Sequence, residues 1–298
     1  MREHDVTFKN GDEFLKRMEV FIGWDRLIEE HNDSGASWTM AHNQFSTLTH
    51  EEFVQKYLSP MPENMKKRGD STHVVKGSSG DSRDWTQEGA VTGVKDQGSC
   101  GSCWSFSTTG SLEGAYYLKY GSLVSYSEQM LVSCDTTDAG CNGGWMDDAF
   151  QWIQDNGGLC SEDDYPYTSG NGVTGTCQSS SCSVVSGSQV TGYTDVTENS
   201  ESALQDAVYS TPVSVAIQAN QLGFSMYSSG VYTGRCGTRL DHGVLSVGYG
   251  TDSGTDYWKV KNSWGTGWGE DGYIRMEKGK DQYGGQCGIL LAASYPKL

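Results

Sequence analysis

Histidine almost vanishes after the first quarter of this 298-residue chain. His4, His31, His42, His50 and His73 precede residue 74, and only His242 follows. A multi-histidine zinc site is thereby excluded from the rest of the chain, and chemistry there that needs an imidazole must use His242. Cysteine runs the other way. The first 99 residues have none, and all nine lie between Cys100 and Cys287. Nine is odd, so a monomer keeps at least one thiol unpaired, while the other eight allow about a hundred pairing schemes. Basic side chains are scarce. The 21 Lys and Arg face 38 Asp and Glu, a formal charge of −17, which argues against nucleic acid or a membrane surface as partner. No run approaches the roughly 20 apolar residues of a membrane span. Met1-Arg2-Glu3-His4-Asp5 is too charged for the apolar stretch of a secretory signal, so a secreted form would have lost its signal before this sequence begins.

What is present describes a folded chain. Hydrophobic residues make up 36% and aromatics 11%, and the length suits one large or two ordinary domains. A sequence pI of 4.6 suits an acidic compartment. This many cysteines in Gly/Ser-rich surroundings favours an oxidising route. The chain changes character near residue 70. Up to there the pattern is helical, with Phe14, Met18, Phe21, Trp24 and Ile28 on one face. Residues 69–83 are small and polar and read as a linker. Beyond it, helices are expected from Cys103 to Tyr120, closed by Gly121, from Met146 to Asp155, and from Glu201 to Tyr209. Strands are expected at Val213–Ile217, Gly243–Tyr249, Tyr257–Lys261 and Tyr273–Met276. Helices followed by strands predict an α+β fold with two lobes. Most of the negative charge lies in this second part and reads as a solvated surface.

The sharpest motif is Gln97-Gly98-Ser99-Cys100-Gly101-Ser102-Cys103-Trp104. Cys100 and Cys103 could be a redox pair or half a zinc site. Cys103 could instead be a nucleophile at a helix N-terminus, with Cys100 bonded elsewhere. The redox reading wants a βαβ context that is absent. The zinc reading wants a second close ligand pair, and Cys134/Cys141 and Cys177/Cys182 are loosely spaced. The nucleophile reading needs an imidazole and a group to orient it. His242 heads a predicted strand, 139 residues after Cys103, and Asn262 in Lys261-Asn262-Ser263-Trp264 lies 159 after it.

Cys100-Gly101-Ser102-Cys103-Trp104, followed by His242 and Asn262, resembles the papain-like cysteine proteases. Gly140-Cys141-Asn142-Gly143-Gly144-Trp145-Met146, Tyr165-Pro166-Tyr167 and Ala292-Ala293-Ser294-Tyr295-Pro296 extend the resemblance over essentially the whole chain. It implies a papain-like two-lobed fold, with a helical lobe at about 90–190 and a β-barrel-like lobe at about 191–290. It implies Cys103 as a thiolate of lowered pKa, His242 as its partner, Asn262 as the group that fixes the ring, and Trp264 as a shield over that bond. Gln97 and the Cys103 N–H would form the oxyanion hole. Gly144 would clamp an extended peptide, with Gly101 and Asp241 beside it in the cleft. Trp145, Met146, Ala216, Leu240 and Ala292 would line the pocket for the side chain two positions before the cut. All five are uncharged, so Leu, Phe or Val is expected there. The family's bridges imply Cys100–Cys141, Cys134–Cys177 and Cys236–Cys287. Cys160 and Cys182 remain, and are expected to form a fourth, leaving Cys103 free. No metal or cofactor is implied.

Residues 1–78 resemble the inhibitory propeptide of the cathepsin L-like branch, ahead of a catalytic domain at 79–298. The interspersed helix motif reads Glu13, Arg17, Val20, Phe21, Ile28 and Asn32, with Trp24 replacing an Asn. The motif Gly-x-Asn-x-Phe-x-Asp reads Ala41, Asn43, Phe45 and Thr47, so the carboxylate of a family acid trigger is missing. The resemblance implies a monomeric, latent endopeptidase that acts on polypeptides, is inhibited by its own propeptide and by cystatin-like proteins, and is lysosomal, vacuolar or extracellular. With one His available, a paired-His carboxydipeptidase is excluded. The alternatives are a catalytically silent peptide-binding homologue and a Cys100/Cys103 dithiol oxidoreductase. Asn32-Asp33-Ser34 is a glycosylation sequon.

Overall fold

The computed structural model describes residues 7–61, 69–77, 79–280 and 282–298. The charged N-terminal pentapeptide and the expected boundary residue Ser78 lie outside them. Helix α1 spans Gly11–Asn32, and its N-cap Asn10 accepts a hydrogen bond from the Glu13 N–H at 2.9 Å. Asp12 and Glu13 in its first turn suit the helix dipole. Only the second half of its apolar face is covered. Trp24 and Ile28 are buried, whereas Phe14 is 39% exposed. The cover comes from β1 (Trp38–Met40), where Asn32 pairs with Met40, and from the turn before α2 (His50–Tyr57), where the Trp24 indole donates to the Leu48 carbonyl. Helix α2 starts in a capping box between Thr49 and Glu52.

The expected linker is not free. Ser71–Thr72 forms β2, and Arg83–Asp84 forms β3. Helix α3 (Cys103–Tyr120) is buried from Cys103 to Gly114 and packs against α5 (Met146–Asn156) and the central sheet. A short helix, α4 (Glu128–Cys134), was not legible in advance. Nearly all its residues are buried, so it has no periodic polar face. Then follow β4 (Gly192–Asp195), α6 (Glu201–Ser210), β5 (Val213–Ile217), β6 (Tyr227–Tyr232), β7 (His242–Asp252), β8 (Thr255–Lys261), β9 (Tyr273–Glu277) and β10 (Ala293–Lys297).

The strands form one open ladder in the order β1-β6-β9-β8-β7-β5-β10-β4-β2, with β3 added on β7. Both end strands come from the first 78 residues. At one end β1 pairs antiparallel with β6, Trp38 opposite Gly230. A Cβ on Gly230 would stand 2.3 Å from the Ser37 carbonyl oxygen, so only glycine permits that approach. At the other end β2 pairs parallel with β4.

Two large apolar cores flank the cleft. One merges Trp24, Ile28, Trp38, Phe45, Phe53 and Leu58 with β-lobe residues such as Val213, Phe224, Trp258, Trp264 and Trp268. The other belongs to the helical lobe, around Trp104, Met130, Phe150 and Ile153. Cys100–Cys141, Cys134–Cys177 and Cys160–Cys182 are bonded in the helical lobe, and Cys236–Cys287 in the β lobe. Cys103 is free and buried. Among the described residues no helix is long and apolar enough to cross a membrane.

Candidate active site

Cys103 is the first residue of α3. Its N-cap Ser102 makes no side-chain cap; the Ser102 hydroxyl pairs instead with the Tyr167 hydroxyl at 2.7 Å. The Gly243 N–H donates to Cys103 Sγ at 3.3 Å. His242 is the first residue of β7, fixed opposite Ile217 of β5. Asn262 follows the last residue of β8, so two adjacent strands bring imidazole and amide together. His242 Nε2 lies 2.7 Å from Asn262 Oδ1, which also accepts the Ser263 N–H at 2.8 Å. An oxygen committed to accepting requires that Nε2 carry the hydrogen, which leaves Nδ1 as the ring's free acceptor. Nδ1 is buried and has no hydrogen-bond partner. The Trp264 ring stacks over His242 with centroids 4.6 Å apart and is fully buried. It shuts water out of the His242–Asn262 bond.

Gln97 is anchored from both sides. Ser263 Oγ donates to its Oε1 at 2.7 Å. Its Nε2 donates to the Cys100 carbonyl at 2.8 Å and to the Tyr57 carbonyl at 3.1 Å. A carbonyl of the N-terminal segment therefore already occupies this amide donor. From Tyr57 the chain runs on across the site. The Ser59 N–H donates to the Asp241 carbonyl at 3.1 Å and the Met61 N–H to the Leu240 carbonyl at 3.2 Å. Ser59 Oγ donates to the Gly101 carbonyl at 3.3 Å. Met61 is buried in the same apolar cluster as Trp145, Met146, Ala216 and Ala292, with Leu240 packed against it. The Asp241 carboxyl turns away to accept the Ala219 N–H at 2.7 Å, and burial pushes it up to about 7. Of Asp241, then, it is the backbone that faces the cleft. A Cβ on Gly144 would stand 2.6 Å from the Asp138 carboxyl and 2.7 Å from the Trp104 ring. That wall of the cleft is bare backbone because no larger residue fits.

The protonation states depart from the expected thiolate and imidazolium. Burial pushes the Cys103 thiol up to about 12, against the opposing pull of the Gly243, Trp104 and Cys103 N–H groups. Burial also lowers His242 to about 4, opposed by its bond to Asn262. Under the Tyr57–Met61 cover both groups are neutral at pH 7. The expected low thiol pKa requires an uncovered cleft, where water can reach the pair.

Sequence reasoning did not single out Ser263, which orients Gln97, or Asp138, whose Oδ1 accepts the Trp145 N–H at 2.8 Å. Nor did it single out Tyr167, whose hydroxyl donates to the Gln97 carbonyl at 2.8 Å. The signals for Ser263 and Tyr167 were their places inside Asn262-Ser263-Trp264 and Tyr165-Pro166-Tyr167.

A family profile described as "Papain family cysteine protease" matches residues 79–297, and one described as "Cathepsin propeptide inhibitor domain (I29)" matches residues 1–53. The chain is 48% identical to "Probable cysteine protease RD21B" of Arabidopsis thaliana over 96% of its own length, but spans only 62% of that relative. It is 48% identical to "Thiol protease SEN102" of Hemerocallis, covering 99% of this chain and 84% of that one. Among solved structures it is similar to "Recombinant stem bromelain precursor", with a TM-score of 0.91 and 40% identity over 100% of this chain and 96% of that one. It is also similar to digestive procathepsin L 3 of Tenebrio molitor, with a TM-score of 0.85, 40% identity and the same coverage.

Proposed function

The chain belongs to the papain family of cysteine proteases, and we propose that it is the latent proform of an endopeptidase with Cys103 as nucleophile and His242 as its acid–base partner. The observation that carries this reading is one set of contacts: Cys103 on the Gly243 N–H, His242 on Asn262 with Nδ1 left free, and Tyr57–Met61 bonded to their neighbours Gln97, Gly101, Leu240 and Asp241. When the cover leaves, His242 Nδ1 takes the Cys103 proton. The thiolate adds to the substrate carbonyl, and the oxyanion is held by the Gln97 amide and the Cys103 N–H. The imidazolium proton goes to the leaving amine as the C–N bond breaks, which leaves a thioester. Water then attacks that thioester, gives a proton to His242, and releases the acid and the thiol. Asn262 keeps the ring in one tautomer throughout.

The N-terminal segment inhibits by running from Gln97 towards the Leu240 pocket. That polarity presents no peptide bond to Cys103 in the direction used by a substrate clamped on Gly144 and the Asp241 carbonyl. Residues 1–78 act as propeptide and 79–298 as the catalytic domain. The pocket formed by Trp145, Met146, Ala216, Leu240 and Ala292 takes an apolar side chain two positions before the cut, as Met61 does now. The protein works as a monomer on polypeptides, is open to cystatin-like inhibitors, and belongs to an oxidising route ending in a lysosomal, vacuolar or extracellular space, which the four disulfides support. No observation favours a silent homologue, since Cys103, His242, Asn262 and Gln97 are all in place. The Cys100–Cys141 bridge removes the thiol that a Cys100/Cys103 redox pair would need.

The test is incubation at acid pH with and without an epoxysuccinyl thiol-protease inhibitor, followed by intact and peptide-mapped masses. Loss of the N-terminal segment without inhibitor, and one adduct confined to Cys103 with it, are expected. An uncut chain that stays unlabelled even after the propeptide is removed by another protease would refute the assignment.

A further inference from the structure

The segment 69–77 is held by a set of partners quite separate from the cleft. Its backbone adds to the exposed edge of β4. The Asp70 N–H donates to the Tyr193 carbonyl at 3.1 Å and the His73 N–H to the Asp195 carbonyl at 2.7 Å. The Asp70 carboxylate accepts the Tyr193 N–H at 3.2 Å, and the Asp195 carboxylate accepts the Gly69 N–H at 3.1 Å. Ser71 Oγ lies 3.1 Å from Thr194 Oγ1 and accepts from Lys297 Nζ at 2.7 Å. His73 is the plug. Its ring is buried between Asp206 Oδ2 of α6, at 2.9 Å from Nε2, and the Tyr295 hydroxyl of β10, at 2.8 Å from Nδ1. The Lys76 N–H closes on the same Asp206 oxygen at 3.0 Å. An imidazole satisfied at both nitrogens by two elements of the catalytic domain is a specific lock, not an incidental surface contact.

We propose that the catalytic domain carries a second binding site for its propeptide, made of the β4 edge, Asp206 and Tyr295, which captures residues 69–77 as an added strand with His73 as its anchor. This site works independently of the cleft and keeps the propeptide attached after the chain is cut between residues 77 and 83. The inference rests on the proform reading above. Independence follows from the partners. Tyr57, Ser59 and Met61 contact Gln97, Gly101, Leu240 and Asp241, whereas 69–77 contacts Tyr193, Thr194, Asp195, Asp206, Tyr295 and Lys297. In the ladder β4 stands three places from β7, the strand that carries His242, or about 14 Å at roughly 4.8 Å per place. Two anchors on one tethered segment bind with avidity. A cut propeptide therefore remains a bivalent inhibitor, and latency outlasts the first cut. The recognition is strand addition with a side-chain pocket, a general mode of peptide capture.

The experiment uses the full chain with a site-specific protease sequence placed in residues 78–82 and Cys103→Ser to prevent self-cleavage. After the cut, hydrogen exchange is followed separately for peptides covering 57–61 and 69–77. The 69–77 amides are expected to stay protected in the cut protein. His73→Ala should speed their exchange about 10- to 100-fold, the range for deleting one side of a buried charge-assisted hydrogen bond, while 57–61 stays protected. Asp206→Asn, checked for an unchanged melting temperature, attacks the same anchor from the domain side and should do likewise. Full exchange of 69–77 on cutting would overturn the proposal, as would exposure of 57–61 in step with 69–77 in His73→Ala. Failure of the protease reading is read separately, as absence of an epoxysuccinyl adduct on Cys103 in the wild-type chain after propeptide removal.

Discussion

Acid should open the cleft through His242. In the covered state this ring is buried and lowered to about 4, against an ordinary value near 6.5. A group whose pKa is depressed in the closed state stabilises that state above its ordinary pKa, and the contribution is lost as pH falls through 6.5 towards 4. The full difference, about 2.5 units, is worth about 3 kcal/mol at most. Once the cover lifts, the Cys103 thiolate becomes available as counter-ion and raises the ring's affinity for the proton further. Two carboxyls near the cover leave that window to His242. Asp241, pushed up to about 7 by burial, keeps its bonds from the Ala219 and Asn220 N–H groups, which are not part of the cover, so it titrates alike in both states and does not offset the rise. Glu52 is held down to about 2, first by its hydrogen bond from Arg17, so its contribution to the joint between α1 and α2 is whole above about 4.5 and fades only as pH falls from there towards 2. The assay is hydrogen exchange of the Ser59 and Met61 amides, whose acceptors are the Asp241 and Leu240 carbonyls, in a Cys103→Ser chain and corrected for intrinsic rates. Between pH 6.5 and 4 the opening constant should rise by up to about tenfold per unit, the slope for one proton taken up. In His242→Gln, whose amide cannot take a proton, that rise should disappear. A profile that is flat in the parent chain, or equally steep in His242→Gln, would refute the reasoning.

Three further outcomes follow from the geometry. Asn262→Ala removes the acceptor at 2.7 Å from His242 Nε2 and should lower kcat/KM of the matured enzyme about 10- to 100-fold, with the pH profile altered as the ring loses its fixed tautomer; unchanged kinetics would deny Asn262 its orienting role. Ala292→Glu places a carboxylate in a pocket otherwise lined by Trp145, Met146, Ala216 and Leu240, and should raise kcat/KM for Arg relative to Leu two positions before the cut by at least about tenfold, measured with paired fluorogenic peptides. Replacing Cys160 and Cys182 together by Ser opens a loop whose ends lie 22 residues apart in sequence. It should cost about 3 kcal/mol on the loop-entropy account, read by denaturant unfolding, while Cys103 labelling of the matured enzyme is retained.

Legibility from sequence followed the kind of interaction involved. Helix α3 and strand β5 appear where the sequence put them although both are largely buried, because each has clear ends: Gly121 closes the helix, and the apolar run Val213–Ile217 follows Pro212. Helix α4 is buried all round and β6 carries Ser228, Ser229 and Gly230, so neither shows a period. The candidate site was legible as residue types: one thiol, one imidazole and one amide in sequence order. Its protonation was not, because the values near 12 and 4 come from burial, a property of the assembled chain and not of any motif. The linker failed for a similar reason. Gly69, Asp70, Ser71 and Thr72 look like solvated spacer, and only the open edge of β4, formed about 120 residues later, makes a strand of Ser71 and Thr72.

The two ends of the ladder explain why the propeptide can be both secure and removable. Strand β1 and the aromatics Phe45 and Phe53 join the β-lobe core against Trp264, with ring centroids 5.5 and 5.2 Å away. The same indole covers the His242–Asn262 bond. Disturbing the propeptide globule therefore loosens the packing over the imidazole, and proton uptake at the imidazole works against the cover. Each event promotes the other, which makes opening cooperative even though Thr47 stands where a carboxylate trigger would be. Strand β2 lies outside this loop of cause and effect, since it pairs with β4, three places from the strand that carries His242. Acid therefore releases the cleft without releasing residues 69–77, and the order of loss, cover first and tail second, is fixed by which strand each anchor has joined.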